Sequence, residues 1–593
     1  MKAVARVLTC ALAALALSAS GSAPFSVSAS ARKSSAASTE NPNWWKNAVI
    51  YEIYPRSFQD SNHDGIGDLN GITSRLDYLQ NLGIDAIWLT PIYPSPQVDF
   101  GYDISDYTNI DPQYGTLADF DRLTAEAHKR HIGIIMDLVL NHTSDQHPWF
   151  KESASSRNNS KSDWYMWHDP KMVNGHREPP NNWESVFGHS AWEWDQARQQ
   201  YYYHRFYIQQ PDLNWNNPQV QKAMYDVERF WINHGVAGFR LDAITSLFED
   251  PQNRDEDYVL GPDGKPEINA YGDKVVKTNL TDNLPEVNGI LRQLRQVADQ
   301  THGRKVILIG ETYLRSVDDL RKMYGDHNNE LDLPMDMQVG FPSGGPHLDV
   351  NLLRQHINEA ETGIGGNMPL FVFDNHDNAR WDRYATNDHK DDVGRVLSTI
   401  LFASRDTAMM YYGDEIGMVT TPPTRKEDVK DPIGITGWPK EKGRDGERTP
   451  MQWDPLGDAG FSDSPKTWLP IPSSYKTINV YTEEHDPNSM LHWYEQIITL
   501  KKSDPALHAG DEVMLNTTDP HVLSWLRKSP TGETVLVACN LTAQPQTVSF
   551  DLKAQGVHRF HLKTIMKTPG AQDPLSLDLV PLGPYGVYIG KVE

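Results

Sequence analysis

The chain has 593 residues, and its 55 Lys and Arg residues against 79 Asp and Glu residues give a net charge of −24. This length supplies enough apolar surface for a core, which excludes the class of small proteins that depend on cross-links. Aromatic residues make up 10% of the chain, which argues against a disordered protein. The acidic balance excludes nucleic acid as the main partner, because phosphate binding requires a basic surface.

The amino-terminal residues have the composition of an export signal. Two basic residues precede an apolar run, Val7–Leu17, that is too short to span a bilayer but suits the hydrophobic region of a signal peptide. We predict a signal peptide over residues 1–31, with cleavage after Ala31 or, as a second candidate, after Ala23. A Ser- and Ala-rich linker is predicted to follow, over residues 32–43.

Cleavage would remove Cys10 and leave Cys539 as the single thiol, so no internal disulfide is expected. We therefore expect an exported protein, periplasmic or secreted, that makes no membrane contact after cleavage. The alternative is an uncleaved anchor or a disordered tail. The oligomeric state is not predicted by any of these patterns.

Eight short apolar runs alternate with longer segments of helical periodicity. The runs are Val49–Tyr54, Ala86–Pro91, Ile132–Leu140, Gly238–Ala243, Val306–Thr312, Met335–Phe341, Leu370–Asp377 and Ala408–Gly413. The helical segments include Leu117–His131, Val220–His234, Val287–Gln300 and Val393–Ala403. Eight strand-then-helix units predict an α/β protein with a parallel (β/α)8 TIM barrel, and a doubly wound open sheet is the alternative.

Two segments depart from this alternation. About 75 residues rich in Trp, Asn, Pro and His separate the third run from the next helix, too long for a structureless loop in a compact domain. We predict an inserted domain over 141–216, which divides the barrel domain into residues 44–140 and 217–508. Short strand-like runs without helical patterns predict a C-terminal antiparallel β-sandwich domain over 509–593.

Three carboxylates lie at the ends of different predicted strands: Asp242, Glu311 and Asp377. The carboxyl ends of barrel strands meet at one face, so these side chains are expected to converge there. Arg240 lies two residues before Asp242 and faces the same way, and a neighbouring cation is expected to lower the pKa of that carboxyl. A charged carboxylate paired with a protonated one is typical of glycoside cleavage.

The four polar clusters resemble the signature regions of the alpha-amylase family of glycoside hydrolases. They are Asp137-Leu-Val-Leu-Asn-His142, Gly238-Phe-Arg-Leu-Asp-Ala243, Gly310-Glu-Thr312 and Asp374-Asn-His-Asp377. The resemblance implies that Asp242 is the nucleophile, Glu311 the general acid/base and Asp377 the stabiliser of the transition state. It also implies that Arg240, His142 and His376 line a glucose-binding pocket.

Further motifs resemble the oligo-1,6-glucosidase and alpha-glucosidase subgroup. They are Gln210-Pro-Asp-Leu-Asn214, Asp99-Phe-Gly-Tyr-Asp103 and Arg444-Asp-Gly-Glu-Arg-Thr-Pro-Met-Gln-Trp453. The resemblance implies that Asp99 holds hydroxyls of the terminal glucose, that Tyr102 stacks on its ring, and that Arg444 pairs with Asp99. This pairing would close the pocket and select attack on a terminal glucose.

A loop after the first strand carries oxygen ligands at alternating positions with Gly at the turn, which suits Ca²⁺. The expected ligands are Asp60, Asn62, Asp64, the carbonyl of Ile66, and Asp68. The loop departs from an EF-hand, since Gly71 stands where a bidentate Glu belongs, and resembles the single metal loop of the same subgroup. Mg²⁺, or a turn that binds no metal, is the alternative.

We therefore expect a retaining, exo-acting alpha-glucosidase that acts on a small oligosaccharide or disaccharide. Ala243 follows the nucleophile, and in this subgroup Ala or Thr there accompanies α-1,4 preference while Val accompanies α-1,6. The first alternative is a transglucosylase or isomerase of the same family: a trehalose synthase, an isomaltulose synthase or a glucosyl-transfer enzyme. The remote alternative is a catalytically inactive barrel interaction protein.

Overall fold

A computed structural model describes residues 41–301, 303–341, 348–385 and 389–593. The predicted signal peptide, 1–31, and most of the predicted linker, 32–43, lie outside the described residues. Within the described ranges, no helix has the length and apolar character needed to cross a membrane.

The described residues form strands and α-helices up to Ala509, and strands without α-helices after it. The strands are β1 (Val49–Ile53), β2 (Ala86–Leu89), β3 (Gly133–Val139), β4 (Trp167–His168), β5 (Lys171–Val173), β6 (His176–Glu178), β7 (Trp192–Asp195), β8 (Gln200–Tyr203), β9 (Gly238–Asp242), β10 (Ile307–Gly310), β11 (Leu333–Asp336), β12 (Leu370–Phe371), β13 (Ala408–Tyr411), β14 (Asp511–Leu515), β15 (Val522–Lys528), β16 (Thr534–Asn540), β17 (Gln546–Val548), β18 (Leu562–Lys567), β19 (Val580–Leu582) and β20 (Val587–Val592). The helices are α1 (Pro55–Phe58), α2 (Leu69–Ser74), α3 (Leu76–Leu82), α4 (Leu117–Lys129), α5 (Pro148–Ser155), α6 (Pro218–Asn233), α7 (Val287–Ala298), α8 (Val317–Lys322), α9 (Val350–Gly363), α10 (Lys390–Ala403), α11 (Pro432–Gly437), α12 (Val480–Glu483), α13 (Met490–Ser503) and α14 (Pro505–Ala509).

Eight parallel strands form the predicted barrel, in the order β12-β11-β10-β9-β3-β2-β1-β13. A backbone hydrogen bond of 3.1 Å from Thr407 N to Pro369 O joins the two edges next to β13 and β12. All eight predicted runs contain a strand. The sixth was predicted over Met335–Phe341 but occupies Leu333–Asp336, because residues 337–340 form a turn instead.

The barrel interior is filled by alternate residues of its strands. Buried residues that pack as one cluster include Ile50, Trp88, Ile135, Ile309, Leu333 and Met409. Because side chains alternate across a strand, Glu52, Asp137 and Arg240 share the inward face but lie nearer the carboxyl ends. The barrel thus has an apolar interior and a charged mouth.

The outer helices begin where the local sequence supplies caps. Thr116 and Asp119 form a capping box at the start of α4, and the Asn217 side chain accepts a hydrogen bond from the Gln219 backbone at the start of α6. Pro218 at the first position of α6 has the fixed φ that a helix start requires. These ends position the βα loops that surround the mouth.

Between β3 and β9 the chain forms α5, five short strands and α6. Strands β4, β8 and β7 make a three-stranded antiparallel sheet, and β5 pairs with β6 as a hairpin. Trp183, Ala191, Trp192 and Tyr203 pack into a small cluster of their own. This is the inserted structure predicted after the third barrel strand.

The carboxyl-terminal residues form antiparallel sheets, as predicted. One has five strands in the order β14-β15-β16-β20-β18, and β17 pairs with β19 in a second. Side chains from both, including Leu526, Leu536, Val548 and Val580, share one buried cluster.

Candidate active site

The carboxylates at the barrel mouth are positioned by the strands themselves. Asp242 is the last residue of β9, and Glu311 directly follows the last residue of β10. Asp137 in β3 lies in register with Arg240 in β9. Parallel strands therefore bring three carboxylates and one guanidinium to the same edge.

The guanidinium of Arg240 lies at the centre of this group. Its Nη1 is 3.0 Å from Asp137 Oδ2 and 2.6 Å from Asp242 Oδ1, while its Nη2 is 2.9 Å from Glu311 Oε2. The Arg240 side chain is completely buried and stacks over Trp88, with 5.0 Å from its central carbon to the ring. One cation therefore contacts both carboxylates of the expected catalytic pair.

Glu311 has a second contact, with the residue after Asp242. The backbone N–H of Ala243 donates a hydrogen bond of 2.9 Å to Glu311 Oε2. Ala243 adopts a left-handed conformation with φ of 43°, which is uncommon for a residue other than Gly. This turn aims the N–H at Glu311 and fixes the carboxyl beside Asp242.

These groups open into a cavity of about 350 Å³, within the size range of small-molecule sites. Seven of the predicted site residues line it: Asp99, Tyr102, His142, Asp242, Glu311, Asp377 and Arg444. Arg240 and His376, expected to line the pocket, are fully buried directly behind this lining. The nine residues predicted for catalysis and sugar binding therefore form one site.

One end of the cavity is closed by Arg444. Its Nη2 is 2.7 Å from Asp99 Oδ1 and its Nη1 is 2.7 Å from Asp377 Oδ1, so it bridges residues of two separate loops. Asp431, which is buried, holds the same guanidinium at 2.6 Å, and Arg448 Nη2 contacts Asp377 Oδ1 at 2.7 Å. These ion pairs therefore close the cavity at the Arg444 end.

His142 and Gln210 complete the wall near Asp99. Gln210 Nε2 donates a hydrogen bond of 3.1 Å to Asp99 Oδ2 and lies 3.1 Å from His142 Nε2. Burial lowers the pKa of His142 to about 3, so its imidazole is neutral. This residue can thus offer hydrogen bonds to a neutral ligand without bringing a charge.

Burial raises the pKa of Asp242 to about 7, and the contact with Arg240 only partly opposes this effect. Arg240 does lower the pKa of Asp242, as expected from its position, but burial has the larger effect and the net pKa is raised. Burial also raises the pKa of Glu311, with Asp242 and Asp377 adding to the effect. Glu311 therefore keeps its proton to a higher pH than an exposed glutamic acid does.

His376 and Asp377 show the opposite behaviour. Burial disfavours charge on both, but Asp377 and Glu52 outweigh it on the imidazole and raise the pKa of His376 to about 9. His376 and Arg444 likewise outweigh burial on the carboxyl and hold the pKa of Asp377 well below its usual range. Asp377 is therefore a permanent anion beside a charged imidazolium.

Sequence reasoning missed three charged contacts of this site. Glu52 lies in the apolar run of β1, and only its acidic character within that run could have drawn attention to it. Asp431 and Arg448 hold Arg444 and Asp377 from the loop segments on either side of Arg444. Arg448 belongs to the quoted Arg444–Trp453 motif, whereas Asp431 carries no signal in the sequence.

The five expected metal ligands lie in one loop between α1 and α2. The Asp60 carboxylate accepts hydrogen bonds from the backbone of Asn62 and Gly65, and Asp68 caps α2. No group of three or more His, Cys, Asp or Glu side chains in the described part of the chain is arranged to hold a metal ion. A cation here would need oxygen donors such as the Asn62 amide and the Ile66 carbonyl, which are hard ligands of the kind Ca²⁺ takes.

The nearly closed barrel and its paired carboxylates define an enzyme that cleaves glycosidic bonds. A model of the alpha-amylase catalytic domain matches residues 52–510, and the chain belongs to the alpha-amylase family of glycoside hydrolases. A probable alpha-glucosidase of Rhizobium meliloti is 42% identical over 534 residues, covering 86% of this chain and 92% of that protein. An oligo-1,6-glucosidase of Heyndrickxia coagulans is 39% identical over 547 residues, covering 86% and 93%.

Solved structures of similar proteins include an alpha-glucosyl transfer enzyme and a trehalulose synthase. An alpha-glucosyl transfer enzyme has a TM-score of 0.83 and 37% identity, covering 93% of this chain and 99% of that chain. The trehalulose synthase MutB of Pseudomonas mesoacidophila has a TM-score of 0.81 and 33% identity, covering 93% and 99%. Similarity of fold alone therefore does not separate hydrolysis from transfer.

Proposed function

We propose that this protein is a retaining, exo-acting alpha-glucosidase that releases α-glucose from the non-reducing end of short α-glucosides. The observation that carries this proposal is the Arg444 bridge between Asp99 and Asp377, at 2.7 Å to each. This bridge closes the end of the same cavity that the catalytic carboxylates line. A terminal glucose fits such a closed site, whereas the interior of a polymer would have to pass through Arg444.

In the proposed mechanism, ionised Asp242 attacks the anomeric carbon while protonated Glu311 gives its proton to the leaving oxygen. The glycosidic bond breaks, and a covalent β-glucosyl ester forms on Asp242. Glu311, now a carboxylate, takes a proton from water, which attacks the ester and releases α-glucose. The free enzyme is restored with Glu311 protonated and Asp242 ionised.

Asp377 is proposed to hold sugar hydroxyls as positive charge develops on the ring. Two arginines and His376 keep this carboxylate ionised and immobile, as electrostatic stabilisation requires. Asp99 and His142 face the same end of the cavity and would fix the remaining hydroxyls of the terminal glucose.

The preference for α-1,4 over α-1,6 bonds rests on Ala243, which lines the cavity directly after the nucleophile. A difference of one or two methyl groups changes discrimination by about 1–3 kcal/mol, so the preference is expected to be partial. The names of the similar alpha-glucosidases and maltases support hydrolysis, and those of the similar structures support glucosyl transfer as the second candidate.

Product analysis tests both candidates. The purified enzyme is incubated with maltose, isomaltose, sucrose and trehalose at low and high concentration, and the products are resolved by chromatography and by anomeric proton NMR. Glucose released first as the α-anomer, fastest from maltose, is the expected result. New disaccharides or trisaccharides at low substrate concentration would establish transfer instead, and a β-anomer would contradict retention.

We also propose that the Asp60–Asp68 loop binds Ca²⁺, with Mg²⁺ as the alternative, and that the ion stabilises the fold without taking part in the chemistry. Asn62 and Asp64 are exposed, so their side-chain oxygens are accessible to an ion. Elemental analysis after dialysis should find about one ion per chain, and EDTA should lower Tm, with CaCl₂ but not MgCl₂ restoring it. An unchanged Tm and no bound metal would contradict the proposal.

Export is proposed from the amino-terminal sequence alone. Expression in a bacterial host with fractionation and amino-terminal sequencing should find a mature chain beginning at Arg32 or at Pro24 outside the cytoplasm. A full-length chain in the cytoplasm or in the membrane fraction would contradict it.

A further inference from the structure

Three buried side chains in the cavity wall near Asp99 form a chain of hydrogen bonds. They are Asn141, His142 and Gln210, which are 1%, 2% and 0% exposed. His142 Nδ1 lies 3.1 Å from Asn141 Oδ1, and His142 Nε2 lies 3.1 Å from Gln210 Nε2. Each side chain can reverse its roles as donor and acceptor, an amide by rotating half a turn and a neutral imidazole by moving its proton. The contacts at the two ends of the chain determine which arrangement holds.

A backbone carbonyl fixes the first end. Asn141 Nδ2 donates a hydrogen bond of 2.7 Å to the carbonyl oxygen of Ser246, which can only accept. The same Nδ2 donates a second hydrogen bond, of 3.0 Å, to Asp212 Oδ2. Rotating this amide would place its oxygen against two acceptors in a buried site, which is costly. Asn141 Oδ1 is therefore turned toward His142 and accepts a hydrogen bond from Nδ1.

A backbone N–H fixes the other end. Tyr207 N–H, which can only donate, gives a hydrogen bond of 2.9 Å to Gln210 Oε1. Gln210 Nε2 then carries both donors of this amide, one for Asp99 Oδ2 at 3.1 Å and one for His142 Nε2. Rotating the amide would set its oxygen against a carboxylate oxygen and its N–H groups against the N–H of Tyr207. His142 Nε2 therefore accepts a hydrogen bond.

Both ends assign the same tautomer to His142, with the proton on Nδ1 and a lone pair on Nε2. The opposite tautomer would gain one hydrogen bond, from Nε2 to the Tyr102 carbonyl oxygen at 3.2 Å. It would lose the hydrogen bonds with Asn141 and Gln210, and would leave two unpaired contacts in a buried site. Burial lowers the pKa of His142 to about 3, which excludes the doubly protonated ring at neutral pH.

We propose that Gln210 is a positioning residue for Asp99, and that the proton on His142 Nδ1 fixes the direction of the Gln210 amide. Arg444 holds Asp99 Oδ1 at 2.7 Å and Gln210 holds Oδ2, so both oxygens of this carboxylate are fixed. Asp99 and His142 line the cavity, whereas Gln210 is fully buried and acts on a ligand through them. That Asp99 in turn holds the terminal glucose rests on the proposed function.

The tautomer is tested directly on the wild-type protein. In protein labelled with 15N at histidine, two-bond and three-bond proton–nitrogen correlations distinguish a protonated ring nitrogen from an unprotonated one. The signals that are missing from His142→Asn identify this residue. Near neutral pH we expect a protonated Nδ1 and an unprotonated Nε2. A protonated Nε2 would overturn the proposal, whichever sugar the enzyme cleaves.

Gln210→Glu removes both donors of the amide at nearly constant shape. With maltose it should raise KM by about tenfold or more, as for a lost hydrogen bond to a charged group, and change kcat less. The reason is that a contact with the terminal glucose through Asp99 is present both before and during bond cleavage. The spectra should also show a protonated His142 Nε2 in this variant, because a carboxylate then faces it.

Gln209→Glu is the matched control, since Gln209 is the neighbouring residue and its buried side-chain oxygen has no hydrogen-bond partner in the described part of the chain. It should keep KM, kcat and the His142 signals near their wild-type values. Equal losses in Gln210→Glu and Gln209→Glu would overturn the proposal, because they would follow from an added charge alone. If Gln210→Glu does not fold, the wild-type spectra still give the answer. The expected tautomer in a wild type that does not cleave maltose would refute the proposed function and support the hydrogen-bond chain.

Discussion

Glu52 Oε1 lies 2.6 Å from His376 Nδ1, and both side chains are completely buried at the barrel mouth. On its other side His376 Nε2 is 2.6 Å from the Tyr102 hydroxyl and 3.2 Å from Asp377 Oδ2. With a carboxylate facing each ring nitrogen, both nitrogens act as donors, and the imidazole is charged. The side chain of His376 therefore links the carboxylates of Glu52 and Asp377, with one ring nitrogen facing each.

We predict that Glu52→Gln weakens catalysis by removing this charge while keeping an oxygen acceptor for Nδ1. The pKa of His376 should fall from about 9, because Asp377 alone would then oppose the cost of burial. His376 loses its proton as pH rises, so the alkaline side of the pH profile of kcat should move to lower pH. Stopped assays over a range of buffers measure the shift.

Glu415→Gln is the control for this prediction. Glu415 is also fully buried near the barrel mouth, but its Oε1 accepts hydrogen bonds from Tyr51 and Tyr78 and not from a histidine. That variant should lose stability without moving the pH profile. If both variants move the profile equally, the Glu52 effect is structural and the charge argument fails.

The catalytic pair itself predicts a bell-shaped pH dependence of kcat/KM. Only ionised Asp242 attacks, so activity should rise as pH increases through its pKa of about 7. Only protonated Glu311 can assist the leaving group, so activity should fall again as pH increases through its raised pKa, and loss of the His376 proton near pH 9 adds to this alkaline fall. Because Asp242 and Glu311 interact closely, the two apparent pKa values of the pH profile describe the pair and not either residue alone. An acid limb near the ordinary Asp value of about 4 would contradict burial as the dominant effect.

Arg444 should matter for stability as well as for binding. Arg444→Ala leaves Asp99, Asp377 and Asp431 without their shared cation, and breaking a buried pair costs about 3–5 kcal/mol. We expect a lower Tm, together with a fall in kcat/KM of at least about a hundredfold as the closed end is lost. Arg444→Lys keeps the charge but not the forked geometry, so it should lie between the wild type and the Ala variant. Equal Tm values for all three proteins would show that the bridge is not structural.

Much of this architecture is readable from the sequence, for a physical reason. Each barrel strand is buried on both faces and therefore appears as a continuous apolar run, as in Val49–Ile53. Polar residues at the ends of such runs, such as Asp242 and Glu311, then stand out. The sixth strand was misplaced because apolar residues continue into the turn at 337–340, where burial persists after pairing ends.

The sequence does not predict effects that depend on burial in three dimensions. Arg240, two residues away, lowers the pKa of Asp242 as expected, yet burial at the barrel mouth has the larger effect and raises the pKa to about 7. Glu52 was assigned no role because a single acidic residue in an apolar strand has no visible partner until β1 and the loop after β12 meet. Local sequence reports which groups neighbour each other along a strand, and not how far water is excluded from them.

Ala243 gives the most discriminating prediction about linkage. Its φ of 43° suits Gly well and a β-branched residue poorly, so Ala243→Val should lower stability by about 1–3 kcal/mol. The added methyl groups also enter the cavity beside Asp242, and the ratio of kcat/KM for maltose to that for isomaltose should fall.

Ala243→Gly is the control, since it suits the left-handed turn, adds no volume and keeps the N–H whose hydrogen bond Glu311 accepts. It should keep or raise Tm and leave the ratio near the wild-type value. A ratio that changes equally in both variants would mean that the turn, and not the size of the side chain, sets the linkage preference.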